Sequence, residues 1–235
     1  MTNQLEQLVL SVGNSTKYKS LPTNLVRAIG AEELARRRNL KEAVKATKNR
    51  LHLMAGAYQI GKMEYAQWLL RLQQAKGDPA ALRLKCSEIL RHHTSTYERL
   101  PLLEEFYKTL FLGVPGLASI LDLACGLNPL TLPWMALPKD VSYFACDIYQ
   151  DQIDFLNQAF PLLGVKGAAQ VCDLLERCPI QAVDVAFLFK TIPCLEQADK
   201  LPVRNPLAKR DFGQFQQAAL PRAFAVSANG AHWAW

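Results

Sequence analysis

Apolar and polar residues follow two different rhythms along this chain, and the change comes near residue 113. Over residues 1–112 apolar positions recur at helical spacing, and β-branched alternation is scarce. Leu40, Val44, Thr47 and Leu51 fall at i, i+4, i+7 and i+11, one stripe of a helix. A second helix is expected from about Glu64 to Ala75, stopped by Gly77-Asp78-Pro79. A third starts near Pro79, with Leu82, Cys86, Ile89 and Leu90 on its inner side, and a fourth runs from Leu100 to Leu112. From Val114 onward short apolar runs take over, at 119–124, 141–147, 168–173 and 183–189. Between the second and third of these, Tyr149 to Phe160 reads as a helix with Ile153, Leu156 and Phe160 inward. Strands alternating with helical stretches predict an α/β fold built on a parallel sheet with crossover helices.

Composition narrows the class. Half of the 235 residues are hydrophobic and 20% are charged, which excludes a disordered chain, a collagen and a coiled-coil rod. No apolar run approaches the ~20 residues of a membrane span. The first twenty residues lack a basic region followed by an apolar one, so no secretory signal is expected and the reading is cytoplasmic. The six cysteines (86, 125, 146, 172, 178 and 194) form no CxxC pair and sit with no His at metal-ligand spacing. They read as free thiols in a reducing compartment, with no metal site.

Charge adds a second clue. The net charge is +6, and residues 17–50 alone hold ten basic residues against three acidic ones. Arg37, Lys41, Lys45 and Lys48 are read as a basic stripe beside the apolar one, facing solvent or a polyanion such as RNA.

The loop after the first predicted strand carries the candidate chemistry. It reads Leu121-Asp122-Leu123-Ala124-Cys125-Gly126-Leu127-Asn128-Pro129, a small-residue turn where Gly126 lets a ligand approach the backbone. The GxGxxG dinucleotide fingerprint is absent. Asp147 ends the next strand and can accept from both hydroxyls of a ribose. Asp173 ends the third, where it can receive the exocyclic amine of an adenine. The set suits an adenosine without phosphates, which points to S-adenosylmethionine. The plainer reading of Asp147 and Asp173 is that they are turn residues at strand ends.

The stretches HHTSTYERLP (92–101), LDLACGLNPLTLPWM (121–135), YFACDIYQDQIDFLN (143–157) and FLFKTIPCLEQ (187–197) resemble the bacterial 16S ribosomal RNA guanine-N7 methyltransferases of the Arm/Rmt/Sgm type, which confer aminoglycoside resistance. The resemblance implies a Rossmann-like S-adenosylmethionine-dependent methyltransferase domain with a basic, helical N-terminal extension that docks on the 30S subunit. On this basis residues 1–112 are the extension, 113–200 the methyltransferase core and 201–235 a divergent tail. The implied target is N7 of G1405 in 16S rRNA of assembled 30S particles, the partner being the subunit and the enzyme acting as a monomer. The resemblance places His93, Thr94, Ser95 and Thr96 along the methionine part of the cofactor, with Arg99 on its carboxylate. It makes Ala124 and Gly126 the floor of the loop, puts Asp147 on the ribose and Asp173 and Leu174 at the adenine, and closes the pocket with Phe189 and Gln197. Lys190, just past the fourth strand, is either a contact to the target nucleotide or a solvated strand-end lysine. No strictly catalytic side chain is required.

Two departures from the family pattern stand out. Tyr97 replaces a residue that is usually Arg. After Lys200 the expected helix and strand are too short or missing, and Pro202, Pro206 and Pro221 do not suit a central strand. The C-terminal strands are therefore expected to be incomplete and the tail irregular. A damaged tail would also fit a non-catalytic ribosome-binding relative. A small-molecule methyltransferase would leave the basic helices unexplained.

Overall fold

A computed structural model of the chain describes residues 2–112, 114–174, 176 and 182–189, and the strand backbones at 223–227 and 230–233. Eight α-helices lie among the described residues: α1 (Thr2–Gly13), α2 (Thr23–Arg36), α3 (Leu40–Leu51), α4 (Tyr65–Gln74), α5 (Pro79–Leu90), α6 (Thr94–Arg99), α7 (Leu103–Phe111) and α8 (Gln150–Ala159). The strands are β1 (Ser119–Leu123), β2 (Ser142–Asp147), β3 (Lys166–Val171), β4 (Val185–Phe189), β5 (Ala223–Ser227) and β6 (Gly230–Trp233).

The sheet order is β3-β2-β1-β4-β5-β6, parallel except for antiparallel β6. Every residue of β4, and all but the first of β1, is buried, as expected of central strands covered on both faces. The chain runs outward from β1 through β2 to β3, then returns to place β4 on the other side of β1. That reversal falls between β1 and β4, and the crevice at the carboxyl ends of the strands beside such a point is where α/β sheets bind ligands.

Two apolar clusters account for the helices. α4, α5 and α7 contribute Trp68, Leu72, Cys86, Ile89, Leu90, Leu103, Tyr107 and Leu110 to the core that includes Ile120, Tyr143 and Phe187 of the sheet. α1–α3 form a separate cluster around Leu8, Val12, Leu25, Ile29 and Leu51, and this one closes on Tyr149 and Ile148, directly after β2. Ser20 O also accepts from Gln150 N at 2.9 Å, and Asn24 Nδ2 donates to Glu176 Oε2 at 2.6 Å.

Several expectations need correcting. The basic stripe is not continuous. Arg37 follows α2 in extended backbone (φ −108°, ψ 152°), and α3 begins only at Leu40. Asn39 caps that start: its side chain accepts from Glu42 N at 2.9 Å and donates to Glu42 Oε1 at 3.2 Å. An Asn followed three residues later by Glu is a capping signature, and it sets the boundary between Arg37 and Lys41. Arg37 Nε instead meets Glu33 Oε2 at 3.0 Å, and Arg50 Nη1 reaches Glu33 Oε1 at 3.1 Å and Glu32 Oε2 at 2.8 Å. Part of the basic excess thus neutralises acids within the helices. Lys41 and Lys45 stay exposed and Lys48 half-buried.

The helix expected over 100–112 is α7, preceded by a 3-10 turn at Leu100–Leu102, with the short α6 before it. β3 starts two residues earlier than expected and ends at Val171, so Asp173 follows the strand rather than closing it.

The tail is not wholly irregular. β5 pairs parallel with β4, from Ala186↔Ala223 to Phe189↔Val226, and β6 pairs back on β5 with Ser227 opposite Gly230. The run Ala-Phe-Ala-Val-Ser followed by Ala-Asn-Gly is a strand and hairpin signal, which the prolines upstream mask in the sequence.

Candidate active site

The crevice is built around the turn that leaves β1. Ala124 (φ 49°) and Gly126 (φ 52°) both take left-handed backbone there. Ala124 carries the strain of a residue with a side chain in that region, a cost that concentrates at functional sites. Gly126 is constrained twice over. A Cβ on it would stand 2.7 Å from both Cε1 and Nε2 of His93, so the imidazole lies where any larger residue would project. Gly126 N donates to Asp147 Oδ2 at 2.8 Å, and Ile148 N donates to Asp147 Oδ1 at 2.7 Å. Cys125 N reaches Cys146 O at 2.9 Å. The turn is thereby fixed against the end of β2. Burial raises the pKa of the Asp147 carboxyl above the ordinary value, and the two backbone donors oppose that shift.

Asp173 and Leu174 come next along the same edge. Cys172 N donates to Asp147 O at 2.9 Å, which ties the end of β3 to the end of β2. Leu174 packs with Leu121, Leu123 and Cys146, against which Ala124 also lies.

α6 approaches from the opposite side. Thr94 N and Oγ1 both bond to Tyr58 O, at 2.9 and 3.3 Å. Thr96 Oγ1 donates to Leu90 O at 2.7 Å. The hydroxyls of Thr94 and Thr96 therefore anchor α6, while Ser95 and Arg99 bond to one another, and Arg99 reaches the turn after β1. Arg99 Nη1 donates to Ser95 Oγ and Arg99 Nη2 to Asn128 Oδ1, each at 2.8 Å. The guanidinium carbon lies 4.7 Å from the centre of the Phe189 ring. Burial pulls the pKa of Arg99 down from the usual arginine value, opposed by Tyr107 and Asp122.

Behind Arg99 lies a polar network that the sequence reading missed. Asp122, 1% exposed, accepts from Tyr143 Oη at 2.6 Å and from Asn128 Nδ2 at 2.9 Å, both on Oδ2. Tyr107 Oη donates to Asn128 Oδ1 at 3.0 Å and lies 2.6 Å from Thr131 Oγ1. Burial pushes the Asp122 carboxyl up to about 7, against the pull of Tyr143, Asn128 and Arg99. The available signal was an acid inside an otherwise apolar strand, Ile-Leu-Asp-Leu-Ala.

The structure thus brings His93, Ser95, Arg99, Ala124, Gly126, Asp147, Leu174 and Phe189 to the carboxyl edge of the sheet, with Asp173 beside them. Lys190 and Gln197 lie outside the described residues. Arg37, Lys41, Lys45 and Lys48 belong to the α1–α3 unit.

Comparison with known proteins shows the family. The family model for ribosomal RNA methyltransferase (FmrO) matches residues 14–201. The chain belongs to this family. A 16S rRNA (guanine(1405)-N(7))-methyltransferase of Micromonospora echinospora is 39% identical over 198 residues, covering 83% of this chain and 72% of that protein. One of the same name from Frankia casuarinae is 41% identical over 192 residues, covering 80% and 68%. The crystal structure of 16S rRNA methyltransferase RmtF, a complex with S-adenosyl-L-homocysteine, superposes with a TM-score of 0.80 at 27% identity, covering 97% of this chain and 82% of that one. The resemblance carried by the four sequence stretches is borne out.

The family match begins directly after α1, takes in α2 and α3 as well as β1–β4, and ends before β5. Two features of the site could hold S-adenosylmethionine. Among the described residues Arg99 Nε is buried without a hydrogen-bond partner, beside two engaged Nη groups, so the guanidinium has a donor left that a carboxylate could take up. The Gly126 backbone supplies a turn without a side chain next to the Asp147 carboxylate.

Proposed function

We propose that this methyltransferase transfers the methyl group of S-adenosylmethionine to N7 of G1405 in 16S rRNA, within the assembled 30S subunit and in the cytoplasm, and so confers aminoglycoside resistance. The target base follows from relatives named for that reaction. One observation carries the site reading: the turn after β1, beside the point where the strand order reverses, bonds to Asp147 through Gly126 N and to the Arg99 guanidinium through Asn128 Oδ1. Asp147 takes the ribose hydroxyls, Asp173 and Leu174 the adenine, and Arg99 the carboxylate, with His93, Thr94, Ser95 and Thr96 shaping the wall beside the methionine chain. Ala124 and Gly126 form the floor, and Phe189 closes the pocket.

The chemistry asks little of side chains. S-adenosylmethionine, when bound, supplies a methyl group already activated by its sulfonium. N7 of guanine has a lone pair and no proton, so no general base is needed. The chain's task is to hold two reactants in line, an advantage worth up to ~7–11 kcal/mol. Arg99 and Asp147 fix the two ends of one reactant. Lys41, Lys45 and Lys48 on α3 bring up the other. Arg37 lies at the end of α2, off the α3 face, and pairs with Glu33. The protein works as a monomer on the subunit.

Borohydride–aniline cleavage followed by primer extension on 16S rRNA from cells expressing the chain tests this reading. A new stop at G1405, with resistance to aminoglycosides that bind the decoding site, is expected. Unmodified G1405 in cells that accumulate the folded protein would refute it.

A further inference from the structure

Asn128 sits at the start of a 3-10 turn (Asn128–Trp134), 2% exposed, between Arg99 and Asp122. Its two amide atoms face chemically opposite neighbours. Oδ1 receives Arg99 Nη2 at 2.8 Å and Tyr107 Oη at 3.0 Å, both donors. Nδ2 gives to Asp122 Oδ2 at 2.9 Å, an acceptor. Turning the amide over would set an N–H group against the guanidinium and an oxygen against the carboxylate. The polarity of the amide is therefore dictated by Asp122 on one side and Arg99 on the other.

The consequence reaches Arg99. Its Nη1 is held by Ser95 Oγ, its Nη2 by Asn128 Oδ1, and its face by the Phe189 ring. These contacts fix the plane and rotation of the guanidinium, and among the described residues its Nε is left without a hydrogen-bond partner. Asp122 makes no hydrogen bond to Arg99 among the described residues. It acts through the amide.

We propose that Asn128 and Asp122 are positioning residues for the amino-acid end of the cofactor. Asp122 sets the direction of the Asn128 amide, and Asn128 aims the Arg99 fork at the incoming carboxylate. The inference rests on the reading of Arg99 given above, but its test is separable from that reading.

The test is calorimetric titration of the full chain with two probes. S-adenosylhomocysteine has the carboxylate. 5′-Methylthioadenosine keeps the adenosine and the sulfur but lacks it. In Asn128→Ala, affinity for S-adenosylhomocysteine should fall about tenfold or more, while affinity for methylthioadenosine stays within about twofold. Arg99→Ala should show the same split. The double variant should bind S-adenosylhomocysteine no worse than Arg99→Ala alone, because both changes remove one interaction. Retained methylthioadenosine binding reports a folded pocket. Should Asn128→Ala not fold, Asn128→Ser, which keeps a polar group in the buried space, takes its place in the same comparison. Equal losses for both probes would reduce Asn128 to a structural role and overturn the proposal, as would unchanged S-adenosylhomocysteine affinity. If Arg99→Ala itself leaves S-adenosylhomocysteine affinity intact, the reading of Arg99 fails, and the proposal with it.

Discussion

At the scale of single residues, function concentrates on atoms whose neighbours come from distant parts of the chain. Asp147 is the simplest case. Losing a carboxylate that accepts from both ribose hydroxyls should cost about 1.5–3 kcal/mol, or roughly ten- to a hundredfold in S-adenosylhomocysteine affinity, for Asp147→Ala measured by calorimetry. An unchanged affinity would remove this loop from the site. Gly126→Ala combines a left-handed φ of 52° with a Cβ 2.7 Å from the His93 ring, so it should both destabilise the fold and weaken cofactor binding. Asp122 has a pH signature. Its folded-state value of about 7 lies above the 3.8 of an ordinary aspartate, so the folded chain keeps a proton that the unfolded chain releases between about pH 4 and 7. Stability from this group falls as pH rises through that window, at up to about 1.4 kcal/mol per pH unit. Asp122→Asn should flatten that slope in chemical denaturation run at pH 5, 6 and 7, and an unaltered slope would show that Asp122 titrates normally. Asp147 and Gly126 were legible in the sequence because they occupy strand-end and turn positions that a one-dimensional pattern marks. Asn128 was not, since its role depends on Arg99 and Asp122 meeting it from other elements.

At the scale of elements, the strands and the long helices follow directly from their apolar period, and the errors lie where a cap or a turn interrupts it. Asn39 breaks what looked like one basic helical face. Arg37 and Arg50 then hold the 2%-exposed Glu33. Burial raises the pKa of its carboxyl, but the two arginines more than offset this and leave it below the ordinary value. The two kinds of basic residue should therefore separate by experiment. Changing Lys41, Lys45 and Lys48 together to Gln should weaken 30S binding and lessen its salt dependence, by a slope of about 0.7–0.9 for each phosphate no longer neutralised, with cofactor affinity intact. Arg50→Gln should instead lower the melting temperature, because it uncovers a buried carboxylate. If 30S binding ignores the three lysines, the exposed face of α3 is only solvated.

At the scale of the whole molecule, α1–α3 rest on Ile148 and Tyr149, the two residues directly after Asp147, the proposed ribose ligand, while α4, α5 and α7 are built into the sheet's own core. The unit proposed to meet RNA is thus physically continuous with the cofactor edge. The sheet does not end at β4. Amides of 223–227 should exchange slowly in a hydrogen-exchange experiment, and removing 201–235 should expose the edge of β4 and promote aggregation. Fast exchange across 223–227 would restore the expectation of an irregular tail. Prolines and an unfamiliar ending hid these strands in the sequence, because strand pairing is a property of the neighbour as much as of the segment. The most direct test of the central claim uses purified chain, 30S subunits and S-adenosylmethionine with a labelled methyl group. Mass mapping of the recovered 16S rRNA should place the label on N7 of G1405, and Asp147→Ala should transfer far less at limiting cofactor. Label on any other nucleotide, or none at all from a chain that binds both S-adenosylhomocysteine and 30S particles, would contradict the account.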